Sequence, residues 1–349
     1  GAVINTNSIP NFLPNPNLKP ELMAETETGI EGKFFQSRLS TDITLYQRVS
    51  NDQILNRDLD PSTGYTSQQI NAGKVTNKGI EAQLAYKIIR NKDWVWEVTG
   101  NWTINKSMVS DIPSDLKEIV YAGYTTLGNF AINGQPLGIM KGYYYQRHEN
   151  GQLLVGAGGD YIASTSIGII GDPNPDYKLS GINSITYKSL TFRFQVDYTH
   201  GGDMYSSTAR SLLARGVTKD TEFDRAAPYI LPGVTADGKP NNIQISATQG
   251  YFNNVFGPDQ GGIFDATVVR LRDMSLSYAL PEKLLNKTPF GSVSITANGS
   301  NLWYYAPNFP KYMHFDPETN GLGVGNGRGL EFITGPSARR MGLSVRITF

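Results

Sequence analysis

Alternation of apolar and polar side chains, held for longer than strands of soluble proteins hold it, constrains this chain more than any other feature. Leu190, Phe192, Phe194, Val196 and Tyr198 alternate with Thr191, Arg193, Gln195, Asp197 and Thr199. Successive side chains of a strand point to opposite faces, so one face here is apolar and the other polar. Trp94, Trp96, Val98, Trp102 and Ile104 stand against Glu97, Thr99, Asn101 and Thr103 in the same way. Ile80, Leu84, Tyr86 and Ile88 stand against Glu81, Gln83 and Lys87, and Leu39, Ile43 and Leu45 against Asp42 and Arg48. At the end of the chain Met341, Leu343, Val345, Ile347 and Phe349 stand against Ser344, Arg346 and Thr348. Further strands are expected over Ala24 to Phe34, Lys178 to Lys188, Met274 to Leu280 and Val293 to Tyr305, about nine in all. Val269 and Leu271 have the opposite parity to Met274, Leu276, Tyr278 and Leu280, which predicts a bulge near Arg272-Asp273.

Strands of soluble sandwiches run about 5 to 6 residues, whereas a tilted strand needs about 9 to 11 to cross hydrocarbon. Several of these runs reach the longer span. Their connections also have a rhythm. Phe35-Gln36-Ser37, Asn91-Lys92-Asp93, Lys188-Ser189 and Pro281 to Phe290 are short, and they alternate with long segments at Asn51 to Asn71, Asp111 to Tyr177, Ser206 to Asp265 and Ala306 to Ala338. Short turns on one side and long loops on the other are the pattern of transmembrane barrels, with the short turns periplasmic. The apolar faces then meet lipid and the charged faces line the interior. Single-chain bacterial barrels have even strand numbers, so about nine strands are expected to be the C-terminal part of a larger barrel.

Composition agrees. With 37 Gly, 19 Tyr, 15 Phe and 18% charged residues, the chain is biased toward turns and strands. The 31 basic and 31 acidic side chains cancel, which gives a nucleic-acid partner no electrostatic support. There is no Cys, and hence no disulfide, thiolate nucleophile or Cys-ligated metal. His148, His200 and His314 are scattered, and neither a nucleophile elbow nor a metal-ligand His spacing occurs, so neither an enzyme, a cofactor nor a metal is expected.

Asn15-Pro16-Asn17-Leu18-Lys19-Pro20-Glu21, followed by Glu27-Thr28-Gly29, resembles the strand entry of TonB-dependent outer-membrane transporters. Asn71-Ala72-Gly73, Asn77-Lys78-Gly79-Ile80-Glu81, Gly171 to Tyr177, Val269 to Tyr278 and Gly299 to Leu302 resemble the SusC/RagA-type subfamily of Bacteroidetes, as does the aromatic-ended last strand. The resemblance implies an all-β fold in which residues 1–349 supply the last nine or so antiparallel strands of a 22-stranded barrel in the bacterial outer membrane, with a plug domain and the earlier strands encoded elsewhere. It implies import of oligosaccharides or peptides, a SusD-like lipoprotein lid, and energy from the TonB complex acting through the missing N-terminal part. A passive porin-like barrel is the alternative; a surface glycan-binding β-protein is a third. Where relatives carry an acidic run ahead of the Gly-Asp-Pro block, Gly158 to Ser166 offers only Asp160, so no calcium is expected there.

Tyr121, Tyr124, Tyr143 and Tyr304 lie in or beside the long loops and are expected to contact substrate or lid, since an aromatic face packs on sugars and apolar side chains alike. Trp303 and Tyr305, of lipid-facing parity, read instead as an interfacial girdle, as do Trp94, Trp96 and Phe34 near the short turns. Arg193, Gln195 and Asp197, with Glu25, Glu27, Glu31, Asp42, Arg48, Glu81 and Arg346, form a charged wall that is either a substrate path or, more economically, a surface hydrogen-bonded to the plug. Ser206 to Gly216 reads as a short helix with Leu212 and Leu213 on one side, docking to the lid or packing on the rim. Leu343, Val345, Ile347 and Phe349 resemble the element read by barrel-insertion machinery.

Overall fold

The computed structural model describes residues 11–255, 257–323, 325 and 327–349. Nine antiparallel strands form one sheet in chain order. They are β1 (Leu22–Phe34), β2 (Leu39–Asn51), β3 (Lys74–Arg90), β4 (Trp94–Ser110), β5 (Tyr177–Tyr187), β6 (Leu190–His200), β7 (Val268–Ala279), β8 (Ser292–Tyr305) and β9 (Arg340–Thr348). Every expected strand is present. Most run further than expected toward the long loops, and β3 and β4 reach 17 residues each. Apolar alternation reports only the stretch with one apolar face; beyond it the ladder continues without that requirement.

The register keeps the two faces apart across the sheet. Glu25, Arg48 and Asn77 are partners in successive ladders, and so are Thr44, Glu81 and Thr103. All of the expected wall residues share this polar face. The other carries Ile30, Ile43, Leu84, Trp102, Leu276, Ile295, Leu343 and Val345, each exposed. A large contiguous apolar surface of this kind is what hydrocarbon covers.

The expected bulge is at Arg272. Val196 pairs with Leu271 and Gln195 with Asp273, leaving Arg272 as the extra residue. Its effect is chemical. In strict alternation Asp273 would enter the apolar face; the inserted residue returns it to the polar one, beside Arg270 and Arg272, and turns Met274 outward. A second bulge was not expected: Lys87 pairs with Glu97 and Ile89 with Trp96, so Ile88 is supernumerary. The run ends two residues later, too soon for a change of parity to be visible.

The long connections have folds of their own. Residues 118–171 form a four-stranded sheet, and residues 203–206 lie between 263–265 and 330–331 in another. Three clusters of buried apolar side chains lie in these loops and at the strand ends beneath them: Val75, Val109, Ile112 and Ile119; Leu127, Met140, Ile170 and Leu330; and Met204, Ala209, Phe309 and Phe315. The loop helix α1 (Ser207–Ala214) corrects one expectation. Leu213 is buried with Ala209 and Ala214, but Leu212 points away and is exposed. Adjacent helical residues are about 100° apart and do not share a face.

Residues 1–349 hold no native cysteine, so single cysteines placed there test the register against the parent protein as control. In intact membranes, a membrane-impermeant thiol reagent is expected to modify Gln195→Cys faster than Phe194→Cys. The reverse order would overturn the assignment of faces.

Candidate ligand cleft and loop anchors

The polar face becomes a cleft where the 111–176 and 306–339 loops lie over it. Its volume is about 540 Å³, with Glu25, Glu27, Tyr46, Arg48, Asn77, Glu81 and Asn105 on the wall and Tyr121, Leu137, Asn174 and Arg328 on the loops. On the wall, the Arg48 guanidinium donates to both oxygens of Glu25, at 3.1 and 3.0 Å. Tyr46 crosses Gly79 and donates to Asn105 Oδ1 at 3.0 Å. A Cβ on Gly79 would stand 2.4 Å from the Tyr46 ring and from the Ile104 carbonyl. Only glycine allows that crossing, and its place in Asn77-Lys78-Gly79-Ile80-Glu81 gives that block a physical reason.

The loops are positioned by one buried amide. Asn129, fully buried, accepts from the Arg328 backbone N–H at 2.9 Å and donates to the Arg328 and Gly138 carbonyls at 3.0 and 2.8 Å. Arg328 is thereby held by its backbone while its guanidinium has no ion-pair partner among the described residues. Asn174 Nδ2 donates to the Leu137 carbonyl at 2.9 Å, and Leu137 N–H to Ser107 Oγ on β4 at 3.0 Å. Gly138 (φ 95°) passes close to the Tyr121 ring, where a Cβ would be 2.8 Å from the hydroxyl oxygen. Burial pushes the Tyr121 hydroxyl up to about 12, with nearby Arg328 opposing it. A second cavity of about 440 Å³ shares Gln53, Val75, Tyr121 and Leu137 and is otherwise lined by apolar residues such as Val109, Ile112 and Ile119 and by polar ones such as Asn56, Gln69 and Lys74.

Further along the wall the 306–339 loop is anchored by charge. Arg270 is buried and pairs with Asp316, one of their contacts being 3.1 Å, with its guanidinium 5.4 Å from the Tyr304 ring centre. Arg272 donates to both oxygens of Glu318, at 2.8 and 2.7 Å, and to Asp197 at 2.6 Å. Asp197 also accepts from Ser180 and from Gln195, both at 2.8 Å. Burial pushes the Asp316 carboxyl up, but hydrogen bonds from Arg270 and Ser337 overcome it and hold the group below the usual carboxylate range. Glu331 is equally buried. It accepts from Ser206 and Thr208 at the start of α1, and from Thr334. Burial again pushes its carboxyl up, and these donors bring it below its ordinary value.

The residues expected from sequence are thus distributed, not assembled. Tyr121 lines the cleft. Tyr124 is exposed and edge-on to Phe332 at 5.3 Å. Tyr143 is exposed and does not line the cleft, and its backbone N–H donates to Asp259 at 3.0 Å. Tyr304 donates its hydroxyl to the His314 carbonyl and lies against Arg270. Gln195 and Asp197 meet at the anchor, in a smaller cleft of about 260 Å³ that Arg193 does not reach. Leu343, Val345 and Ile347 share the exposed apolar face, and Phe349 beyond them is 5.5 Å from Phe290. Sequence reasoning missed Asn129, Arg328, Asp316 and Glu331, whose decisive contacts, Asn129 with Arg328, Asp316 with Arg270 and Glu331 with Ser206, join residues 199, 46 and 125 positions apart. One signal was present: Arg270 and Arg272 are two apart, and so are Asp316 and Glu318.

The sequence matches the TonB dependent receptor-like, beta-barrel family over residues 2–302. It is 26% identical over 364 residues to TonB-dependent receptor P3 of Formosa agariphila, covering 96% of this chain and 35% of that protein. It is 25% identical over 325 residues to TonB-dependent receptor SusC of Bacteroides thetaiotaomicron, covering 87% of this chain and 30% of that one. The chain therefore spans about a third of the length of the curated relatives it matches. Among solved structures, that of the RagAB peptide transporter superposes with a TM-score of 0.67 at 20% identity, over 96% of this chain and 36% of its own. A sheet with an apolar outer face, short turns at one end and folded loops at the other is common to sequence and structure, and the chain belongs to the TonB dependent receptor-like β-barrel family of the outer membrane.

Proposed function

We propose that these strands and loops are the C-terminal wall and part of the outer mouth of a TonB-dependent importer. It carries oligosaccharide or peptide across the outer membrane together with a SusD-like lipoprotein, and the rest of the barrel and the plug are supplied by other parts of the protein. The observation that carries this reading is the polar cleft of about 540 Å³ between the inward face of the sheet and the anchored loops. The name of the RagAB peptide transporter adds support for a solute of that size.

The test is uptake of defined glycans and peptides by cells carrying the full-length gene, with and without a functional TonB complex. Uptake that persists undiminished without TonB would favour the porin-like alternative. Deleting Phe349 is expected to lower the amount of full-length protein in the outer membrane several-fold, through loss of the assembly element. Normal abundance after that deletion would remove the role assigned to the last strand.

A further inference from the structure

We infer that Lys78 and Lys106, on the outward face of the sheet, hold a phosphate of a lipid headgroup in the outer leaflet of the outer membrane. The inference goes beyond the importer reading and holds for any barrel in that membrane.

The register brings the two ammonium groups together. Lys78 of β3 and Lys106 of β4 are direct partners in the ladder, on the same face as the partners Ile80 and Ile104. Both lysines are exposed. Directly opposed side chains of an antiparallel pair have Cβ atoms about 4.5–5.5 Å apart, and like charges so placed oppose the pairing. A phosphate between them removes the repulsion and accepts a charge-assisted hydrogen bond from each. Lys106 also reaches Asp176, at 3.1 Å, but those side chains are 67% and 59% exposed, and an ion pair so open to water contributes little. Even with that pair made, the two lysines keep one positive charge in excess.

Their height is that of a headgroup layer. On β4 the outward face carries Trp94, Trp96, Val98, Trp102 and Ile104, counted from the short turn. From Trp94 to Ile104 the strand rises about 26 Å, at about 3.4 Å a residue and about 40° of tilt, close to the roughly 25 Å apolar band of outer-membrane barrels. Trp102, Tyr198 and Tyr305 lie in one row of successive partners with Leu179 and Val269, an aromatic belt just beneath the top of this band. Lys106 is two residues past Ile104, about 5 Å higher by the same measure. Its rung continues through Lys78 and Gln47 to Thr26, whereas the rung below runs through Ile104, Ile80 and Leu45. The change from apolar to polar is therefore complete within one rung, with the two lysines at its upper side. The rest of the barrel does not compete for this place. β3 and β4 are the third and fourth of nine strands, so strands added beyond β1 or β9, and a plug inside, leave their outward face to the membrane.

The test uses the full-length protein, purified with its partner in detergent, and fluorescent lipid A as the probe, intact or enzymatically dephosphorylated. A lysine at an anionic surface contributes roughly fivefold in affinity, so the parent is expected to bind intact lipid A about tenfold or more tightly than the dephosphorylated form. In Lys78→Gln/Lys106→Gln that preference should fall to about threefold or less, and Lys78→Arg/Lys106→Arg should keep it. Lys188→Gln, at the short turn between β5 and β6, should leave it unchanged. Heat-modifiable migration on gels confirms that each variant is a folded barrel. A parent without preference for the phosphorylated probe, or a preference that survives in the double Gln variant, would overturn the inference. Loss of the lipoprotein from the double Gln variant with the lipid preference intact would also overturn it, assigning the lysines to a protein partner. Uptake is not a readout here, so failure of the lipid site leaves the importer reading untouched.

Discussion

Arg270→Ala, made alone in the full-length protein, is expected to release the 306–339 loop from the barrel wall at a cost of about 3–5 kcal/mol. The side chains of Arg270 and Asp316 are 1% and 3% exposed. Removing the cation leaves a carboxylate buried without its counter-charge, and that penalty exceeds whatever the pair contributed when intact. The loop's second tie, Arg272 to Glu318, is more exposed and cannot replace it. Protease accessibility on whole cells, with hydrogen exchange on vesicles, would register the release as new cleavage between residues 306 and 339. The double replacement Arg270→Met/Asp316→Leu should recover most of the protection, because it removes the stranded charge as well. Protection in the single variant equal to that of the parent would show that the pair does not hold the loop.

Glu331→Ala is the second large effect. It removes the acceptor used by Ser206 Oγ, by the backbone N–H and hydroxyl of Thr208, and by the backbone N–H and hydroxyl of Thr334. Some of these donors re-pair with water, but those deepest in the loop body cannot, and a loss of about 2–4 kcal/mol follows. The parallel pairing of residues 205–206 with 330–331 and the start of α1 should loosen together. Glu331→Gln retains the shape and part of the hydrogen bonding, and should lose less. The pH dependence has a definite sign. Glu331 and Asp316 both have carboxyls held below their ordinary values. Each therefore contributes stability that is present above the unfolded carboxylate pKa and lost as the pH falls through the folded one. Loop protection should be flat from neutral pH down to about 5 and decline below about 4. In Glu331→Gln the acid-dependent part should shrink, and an unchanged acid profile would assign the dependence elsewhere.

The strands were legible because lipid on one side and polar contacts on the other impose a period of two that nothing in a loop imitates. Even the bulge at Arg272 was legible, as a change of parity within one strand. The bulge at Ile88 was not, because too few residues follow it. The loop architecture was hidden for a different reason. Its strands are short: residues 139–142 are covered on both faces, and residues 168–171, with Ile169 exposed and Ile170 buried, are too few to show a period. The candidate site was half legible. Glu27 and Glu81 could be assigned to the polar face, and Tyr121 to a loop, but Arg328 enters only through its contact with Asn129, 199 positions earlier in the chain. Tyr304 shows the limit of parity: the face was foreseen, whereas the engagement of its hydroxyl by His314 depends on how the following loop returns.

The extra residue at Arg272 also bears on how a chain of this kind can change length. Residues can be gained or lost in the long loops with little more than a change in closure entropy. Within β7 the situation is different. If Arg272 were lost, the ladder with β6 would close regularly with Asp273 still opposite Gln195 and Met274, Leu276 and Tyr278 still outward, whereas loss of a paired residue such as Ser275 would turn Leu276 and Tyr278 into the interior. Insertions and deletions should therefore accumulate freely between β6 and β7, be absorbed within β7 only at the bulge, and be selected against along the paired remainder of the strand.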